Sequence, residues 1–599
     1  MVYKIPTPKF HKGLWVAGGL GLAYFVYQAV SSMLIRREWA KRRDRKRKEN
    51  AAAKAQFAEY LRQNPMKSTD VEAIVSKPFA EILSSLKSGE ITPEKALLAY
   101  QHKAFAVDQR CNCVVEFLYP DLKLVNLKGP FAGMPVSVKD NYKIKGHESC
   151  AGMAYFLTGP AKEDSVIISV LYSLGAVPFV RTNVPQSMLS VLSWNPINGV
   201  TLNPLALDRS PGGSSSGEAA LVGGGGSILG FGTDLGGSIR LPSAMCNIVG
   251  FKPTANRISQ RKMLSFKRLM TTFSCCGPLA RDVETCITAM QCIWNSQLHH
   301  DLDYMTPPVP YTFTPPDRPL RIGYFTYDGS FKAVPAAERA VLHIKSRLEA
   351  MGHKLIPWQP PYPGSECFEM FLTALFVDGG ARLVEMLQYD EVEKSMFLGL
   401  KVFKSWRLTR RIKWILAKLF THPDNLIYMR AVNYVTDVPT LTQHINALEE
   451  FRYRWYDNWR ESNLDAVLCP AFGMAAPVPV RTTRSFAGML TYLHLFNITN
   501  MPAGSVPSGI CVTEADLAPL RASLGQKDDN KPVKLAPGVT PYPIDRPWQK
   551  AAAELQVDTL GMPVGVQVAA APWHDEMCLH VMREVERAAR GVSQPGPTN

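Results

Sequence analysis

Several motifs that mark metal and nucleotide sites are missing from this sequence of 599 residues. Its twelve cysteines form no CxxC pair, and it contains no HExxH, no EF-hand loop and no GxxxxGK[ST]. These absences exclude the common zinc, metalloprotease, calcium-binding and P-loop classes, so we expect neither a metal nor a cofactor. Scattered cysteines also favour a reduced, cytosolic setting over a disulfide framework.

Acidic residues are scarce in two short stretches that together carry the excess positive charge. Residues 36–48 hold nine Arg/Lys and two acids, residues 394–421 hold eight Arg/Lys and no acid, and the formal net charge of the whole chain is +15. The remainder of the chain is therefore neutral. Because the basic residues are not spread over one continuous face, the pattern disfavours nucleic acid as a partner and favours anionic membrane headgroups.

An uncharged stretch near the amino terminus precedes the first basic cluster. Residues 13–35 read GLWVAGGLGLAYFVYQAVSSMLI. About 20 apolar residues are enough to cross a bilayer, and no A-x-A cleavage site follows. Because positive charge stays cytosolic, we expect a short non-cytosolic terminus (1–12), a single-pass transmembrane anchor (13–35) and a basic juxtamembrane segment (36–69). The remainder would face the cytosol at the endoplasmic reticulum or another endomembrane.

Short β-branched runs alternate with helical stretches along the rest of the chain, which predicts an α/β layer fold. The predicted strands are 133–138, 176–181 and 563–569. The predicted helices are 50–64, 79–107 with a helix start at Thr92, 164–174 and 575–589. Residues 306–319 and 526–547 are expected as loops, and residues 591–599 as a disordered tail.

A stretch dominated by glycine and serine, residues 210–243, decides the chemistry. A flexible linker is disfavoured because large apolar residues such as Leu221 and Phe231 are interleaved with its glycines. A Rossmann turn is disfavoured because Leu235 stands where GxGxxG needs its last glycine. Residues 213–217 match the GxSxG elbow of α/β-hydrolases, but a Pro- and Asp-rich loop precedes them instead of the required strand.

A later serine in this stretch has the local pattern of a nucleophile. Gly236-Gly237-Ser238 follows the strand-like run 227–234 and precedes a possible helix start. Successive N–H groups in such a turn converge on an anion, as in an oxyanion hole. A serine hydroxyl needs a base. Lys139, at the end of the apolar run GMPVSVK, is the candidate, because burial lowers the pKa of a lysine by up to ~3–5 units.

These motifs resemble the amidase signature family. The match comprises, in order, GMPVSVKD, SPGGSSSGEAAL, GFGTDLGGSIRLPSA and GFKPT at 250–254, and TNVPQSM, GPLARDVE and GMPVGVQ extend it over most of residues 70–590. The resemblance implies a catalytic domain over 70–590 with a twisted central mixed β-sheet covered by helices on both faces. With its expected anchor, the chain looks like the membrane-bound branch of the family, the fatty-acid amide hydrolases.

The resemblance also implies a Ser–Ser–Lys triad, in which Lys139 is the base, Ser214 the bridge and Ser238 the nucleophile, and it implies a homodimer. The implied oxyanion hole consists of the backbone N–H groups of Leu235, Gly236, Gly237 and Ser238. The implied substrate contacts are Met188 and Ser214, and the expected supporting residues are Ser215, Asp234 and Arg240. The chain departs from the family at Ser216, which adds a Cβ where glycine is usual.

The second basic stretch bears on the substrate. Residues 394–421 mix aromatic and aliphatic side chains with their cations, which is typical of helices in a membrane interface. Their position resembles the membrane-interface cap of the membrane-bound branch. We therefore expect hydrolysis of fatty-acid amides, N-acylethanolamines such as anandamide and primary amides such as oleamide, to a fatty acid and an amine or ammonia.

Two alternatives stay open at this point. One is a tethered amidase that acts on a small polar amide, or the glutaminase-type subunit of an amidotransferase; turnover of glutamine against oleamide separates these from a lipid amidase. The other is a non-enzymatic membrane scaffold built on an inactive amidase fold. A scaffold would be free to lose the triad, yet Lys139, Ser214 and Ser238 are all present.

Overall fold

The computed structural model describes residues 14–265, 273–393, 422–479, 488–528 and 531–590, with a few single positions between 396 and 418. The predicted terminus at 1–12, the tail at 591–599 and nearly all of the cap at 394–421 lie outside the described residues. Side chains of the first helix are described from Tyr24 onward.

A mixed sheet of eleven strands forms the centre of the protein. The strands along the chain are β1 (Val114–Phe117), β2 (Pro135–Lys139), β3 (Val177–Thr182), β4 (Trp194–Asn195), β5 (Gly199–Val200), β6 (Leu229–Asp234), β7 (Val249–Lys252), β8 (Cys275–Ala280), β9 (Arg321–Tyr324), β10 (Lys354–Pro357), β11 (Ala466–Pro470), β12 (Ala503–Cys511), β13 (Lys527–Asp528), β14 (Lys531–Pro532) and β15 (Pro563–Ala569). The order in the large sheet is β1-β3-β2-β6-β8-β7-β12-β15-β11-β9-β10. β2 pairs in parallel with β3 and β6, whereas β6 and β8 are antiparallel. The expected mixed central sheet is confirmed.

Helices complete the α/β fold. They are α1 (Leu14–Gln63), α2 (Ser68–Val75), α3 (Phe79–Ser88), α4 (Pro93–Cys111), α5 (Val166–Ser173), α6 (Ser216–Gly223), α7 (Arg240–Met245), α8 (Val283–Trp294), α9 (Leu298–Leu302), α10 (Pro335–Ala350), α11 (Gly364–Leu375), α12 (Ala381–Leu387), α13 (Ile427–Tyr434), α14 (Val438–Ser462), α15 (Thr491–Ile498), α16 (Glu514–Ser523), α17 (Pro547–Gln556) and α18 (Asp575–Ala589).

The predicted elements are found with shifts of a few residues at their ends. The helix start at Thr92 is confirmed, since its hydroxyl accepts the N–H of Lys95 at 3.2 Å. The helix predicted over 79–107 is two helices, because Gly89 adopts a φ of 78° that ends α3. Residues 306–319 contain no helix or strand, as predicted, whereas the loop predicted over 526–547 includes the short paired strands β13 and β14.

Helix α1 merges the predicted anchor and the predicted basic segment into one element. It runs unbroken through 50 residues, so position 35 is not the end of a helix. In the part of the chain that the structure describes, no helix is long and apolar enough to cross a membrane. The transmembrane span expected at 13–35 is therefore not confirmed, and part of it lies outside the described residues. The described portion exposes large apolar side chains, among them Phe25, which is 70% exposed.

The basic segment of α1 is partly neutralised by acidic residues that lie after α1 in the chain. Arg43 donates to the carboxylate of Asp390 at 2.6 Å, and Arg45 donates to Glu148 at 3.1 Å. Both carboxylates are buried and both come from segments far along the chain. Part of the charge of this cluster is therefore used to dock the helix, and the expected contact of the cluster with membrane headgroups stays a prediction.

An aromatic contact and a further ion pair extend this docking along the helix. The ring of Trp39 meets Tyr155 and Tyr389 edge to face, with centroids 5.9 and 5.6 Å apart. Beyond the basic stretch 36–48, Lys54 donates to the buried carboxylate of Asp108 at 2.6 Å. Helix α1 is thus held against the body over a length of several turns.

We expect Arg43→Ala to loosen the docking of α1. The change leaves the buried carboxylate of Asp390 without its cation, and removing one partner of a buried pair costs about 3–5 kcal/mol. Amide hydrogen exchange at residues 40–50 and 388–393 should therefore become faster by about tenfold or more.

Arg42→Ala is the matched control for this experiment. Arg42 pairs with Glu38 on the solvent side of the same helix, and exposed pairs of this kind stabilise little. Exchange that rises equally in the two variants would show that the Arg43 pair does not dock the helix.

Candidate active site

Two neighbouring parallel strands end at Lys139 and Asp234. β2 and β6 pair in parallel, with Val138 opposite Phe231. Because the carboxyl ends of parallel strands lie at the same edge of a sheet, Lys139 meets the turn that follows Asp234. The strand expected at 227–234 is β6, and α7 follows it at the expected place.

Lys139 is a fully buried lysine with two hydroxyl neighbours. Its Nζ lies 2.8 Å from the Oγ of Ser214 and 2.9 Å from the Oγ1 of Thr233. Burial lowers the pKa of Lys139 to about 7, even though nearby carboxylates, Asp234 foremost, act in the opposite direction. A large fraction of this amine is therefore uncharged at neutral pH, which is the state that a base requires.

The loops that carry Ser214 and Ser238 are bonded to each other. The N–H of Ser215 donates to the carbonyl of Ser238 at 3.1 Å, and the Ser215 hydroxyl donates to the carbonyl of Thr233 at 3.4 Å. Ser215 is fully buried, so these bonds are shielded from water. Residues 207–215 contain no strand, in agreement with the rejection of a nucleophile elbow.

The carboxylate of Asp234 organises the turn between β6 and α7. It accepts the N–H groups of Gly237 at 2.8 Å and Ile239 at 3.1 Å, two bonds from Arg240 at 3.0 and 3.1 Å, and one from Asn497 at 2.8 Å. Burial alone would raise its pKa, but the Arg240 guanidinium and these donors hold the pKa well below its usual range. Gly237 has a φ of 110°, a conformation that favours glycine.

Arg240 ties this turn to two distant elements. Its guanidinium also donates to the carbonyl of Leu493 at 3.0 Å, to Gln567 at 2.7 Å and to Asn497 at 2.6 Å. The side chain is fully buried and forms an ion pair with Asp234 at 3.0 Å, so two of the expected supporting residues lie in contact. The turn therefore depends on α15 and β15 for its shape.

The four backbone N–H groups expected in the oxyanion hole differ in whether they already make a hydrogen bond. Gly237 donates to Asp234, so its N–H is already engaged. Within the described residues, the N–H groups of Leu235, Gly236 and Ser238 make no hydrogen bond. These three donors are the ones that the turn leaves able to bind an anion, whereas Gly237 shapes the turn through Asp234.

Met188 lies on a separate, sharply turned segment. Ser187 and Met188 have φ values of 62° and 57°. The side chain of Gln186 donates to the carbonyl of Glu391 at 2.7 Å and accepts the N–H of Glu393 at 2.9 Å. The Met188 turn is thus fixed to the segment that leads into residues 394–421.

Ser216, the departure from the family pattern, fits its surroundings. It begins α6, its side chain is fully buried and its hydroxyl donates to the carbonyl of Asn183 at 3.3 Å. The extra Cβ therefore has space and the extra hydroxyl has a partner.

Three residues at this site were not singled out from the sequence. Thr233 lies inside the motif that contains Asp234, and its hydroxyl is the second partner of Lys139. Glu218, in the SSSGE motif, is fully buried and accepts the hydroxyls of Ser137 and Thr182, both at 2.6 Å. The third, His494, comes from a distant helix with no local signal. Both motif residues could have been found from their spacing to predicted site residues.

The buried carboxyl of Glu218 carries a weakened charge. Burial raises the pKa of Glu218 to about 7, against the effect of the two hydroxyl donors. Among the residues that the structure describes, no three His, Cys, Asp or Glu side chains are grouped so as to hold a metal ion. Glu218 is thus a buried hydrogen-bond acceptor beside the strand of Lys139.

Comparison with known proteins agrees with the motifs. The family model described as Amidase matches residues 95–579. The chain is 35% identical to fatty-acid amide hydrolase 1 of Sus scrofa over 89% of each chain, and 32% identical to fatty acid amide hydrolase 1 of Caenorhabditis elegans over 86% of this chain and 89% of that protein. A solved structure of fatty acid amide hydrolase shares the fold, with a TM-score of 0.76 over 92% of this chain and 95% of that chain at 23% identity.

We expect Asp234→Asn to destabilise the protein. The change leaves the buried Arg240 without its counter-ion, which costs about 3–5 kcal/mol at pH 7 and should lower the midpoint of thermal unfolding by several degrees. Because folding lowers the pKa of Asp234, the difference is complete above its unfolded-state pKa of about 3.9 and diminishes as the pH falls toward the folded-state value.

Asp282→Asn serves as the control. Asp282 caps α8 by accepting the N–H of Thr285 at 2.7 Å, and asparagine caps about equally well. An equal fall of the midpoint in both variants would contradict the role given to the Asp234–Arg240 pair.

Proposed function

We propose that this chain, which belongs to the amidase signature family and is a hydrolase of amide C–N bonds, cleaves fatty-acid amides to a free fatty acid and an amine or ammonia. The observation that carries the proposal is the buried amine of Lys139, held 2.8 Å from the hydroxyl of Ser214. A neutral amine in contact with a serine is a base that can activate a nucleophile without histidine.

The first step is a proton relay. When Lys139 is uncharged, its lone pair accepts the proton of Ser214, and Ser214 accepts the proton of Ser238. Thr233 keeps the amine aimed at Ser214 by binding its Nζ at 2.9 Å. The oxygen of Ser238 then attacks the carbonyl carbon of the amide, and the carbonyl oxygen becomes an oxyanion.

The turn after β6 stabilises that oxyanion. The N–H groups of Leu235, Gly236 and Ser238 are available to it, and one such donor is typically worth roughly 2.7–4 kcal/mol. Asp234 fixes the turn beforehand through Gly237 and Ile239, so the donors need little rearrangement. This favours the transition state over the ground state.

The relay then runs in reverse to release the amine. Lys139, now protonated, returns its proton through Ser214 to the leaving nitrogen, because an amine anion is too basic to leave. The C–N bond breaks and an acyl-enzyme remains on Ser238. Water gives a proton to the same relay, attacks the acyl carbon and liberates the fatty acid.

The assignment to fatty-acid amides has separate support. Two relatives that match nearly the full chain are named fatty acid amide hydrolases. The described amino-terminal part of α1 presents large apolar side chains to solvent, with Phe25, Tyr27 and Leu34 each more than half exposed. We infer that this part of α1 attaches the enzyme to a membrane, with the catalytic domain in the cytosol. A membrane-bound enzyme has direct access to amides that partition into lipid.

A small polar amide, such as glutamine, is the second candidate substrate. The buried relay serves any amide and does not discriminate between the two. The exposed apolar length of α1 favours the lipid substrate, because a glutaminase gains nothing from a lipid surface.

We expect Lys139→Ala to reduce kcat/KM for oleamide by about a hundredfold or more, and to reduce it less for methyl oleate, whose alcohol leaves without strong protonation.

Wild-type turnover of oleamide should rise as the pH increases through about 7, since the neutral amine is the active form. Both are measured with purified protein in detergent, with glutamine as the competing substrate.

Ser173→Ala is the control for purification and assay of a substituted protein, because Ser173 is the last residue of α5 and is not part of the relay. Equal losses with amide and ester, or a rate that does not change with pH, would contradict the lysine relay. Faster turnover of glutamine than of oleamide would overturn the lipid assignment.

Deletion of residues 1–35 should leave catalysis in detergent intact, because the triad residues lie far along the chain. Binding to anionic lipid vesicles should weaken but persist through residues 394–421. Cosedimentation with vesicles measures this, and complete release of the truncated protein into buffer would remove the second membrane contact.

A further inference from the structure

A histidine that the relay does not use stands beside the oxyanion turn. His494, on α15, is 5% exposed. A Cβ added to Gly236 would lie 2.9 Å from the Nε2 of His494 and 3.0 Å from the ring of Phe371. Because Gly236 also supplies one of the three available N–H groups, the imidazole edge lies beside the proposed oxyanion turn.

The tautomer of His494 is set by its other nitrogen. Nδ1 lies 2.6 Å from the carbonyl oxygen of Leu490, the residue that immediately precedes α15. A carbonyl oxygen only accepts, so Nδ1 carries the hydrogen and Nε2 carries a lone pair. Burial lowers the pKa of His494 to about 4, so the ring stays neutral at working pH.

The lone pair of Nε2 makes no hydrogen bond to the described residues, and two aromatic rings flank the imidazole, while the charges of Arg240 and Asp234 also act on it. The rings of Phe371 and Phe368 lie 4.1 and 5.0 Å from the imidazole, centroid to centroid. Beside these rings a hydrogen bond to Nε2 is stronger than in water. A substrate that brings a donor to this position is therefore favoured over one that does not.

We propose that Nε2 of His494 accepts a hydrogen bond from the carboxamide N–H of the substrate, which makes His494 a specificity-determining residue that favours amides over esters. The inference rests on the proposed amide hydrolysis and adds that a preferred substrate carries an N–H group on its carboxamide nitrogen. Primary and secondary amides have the required N–H, whereas esters and N,N-dialkyl amides lack it. Sites built to bind such a donor reject analogues without it.

His494→Met tests the inference, since methionine fills a similar volume without the acceptor. The measured quantity is kcat/KM of the full-length protein in detergent, with oleamide and methyl oleate as a matched pair. We expect about a tenfold loss for the amide, equivalent to about 1.4 kcal/mol, and a change within about twofold for the ester. His494→Gln should recover most of the amide rate, because its Oε1 can replace Nε2 as the acceptor.

Two readouts separate this effect from loss of the relay or of packing. The rise of amide turnover through pH 7 belongs to Lys139 and should keep its midpoint in His494→Met. His444→Met is the matched control: it replaces a buried histidine of α14 and should leave the ratio of amide to ester turnover unchanged.

The outcomes are distinct. Equal loss for amide and ester in His494→Met, or no recovery in His494→Gln, overturns the inference and leaves amide hydrolysis standing. A wild-type protein that a fluorophosphonate labels at Ser238 but that turns over no amide overturns the proposed function, and the inference with it.

Discussion

One buried amine that must be uncharged is the constraint on which the proposed chemistry depends. Lys139 can act as a base only if the protein keeps it neutral, and three buried carboxyl groups near it, Asp234, Glu218 and Asp140, favour the charged form. The structure limits these effects, and Asp140 is paired with Arg181. Asp234 is paired with Arg240, and the pKa of Glu218 is raised by burial, which weakens its negative charge near neutral pH. The hydroxyls of Ser214 and Thr233 then satisfy the amine without adding charge.

The Asp234–Arg240 pair connects this chemistry to distant parts of the chain. Asp234 fixes the turn that presents Ser238, and Arg240 bonds that turn to α15 and β15. His494 lies on α15, next to the carbonyl of Leu493 that Arg240 binds. The same ion pair therefore sets the positions of the proposed oxyanion donors and of the imidazole beside them. A buried pair is often no more stabilising than apolar packing, but here it determines geometry.

Local patterns were enough to predict the parts of the site that lie on continuous motifs. The apolar run before Lys139 became β2, the run before Gly236 became β6, and α7 followed it. Contacts between distant segments could not be predicted this way. Nothing in the glycine turn indicates that Asp234 engages the N–H of Gly237, since that depends on a side-chain rotamer in the folded state. His494 reaches the turn only through the packing of α15.

The ion pairs of the basic segment of α1 also could not be predicted from local sequence patterns, and they connect α1 to the Met188 turn. A run of arginines after an apolar stretch indicates headgroup contact when read alone, yet loops from distant parts of the chain bring Asp390 and Glu148 to it. Asp390 also accepts the N–H of Ala154, and the following residues bond Gln186, two positions before Met188. One short segment, residues 390–393, thus joins α1 to the Met188 turn. If α1 sits at a lipid surface, this link holds the Met188 turn at a fixed distance from that surface.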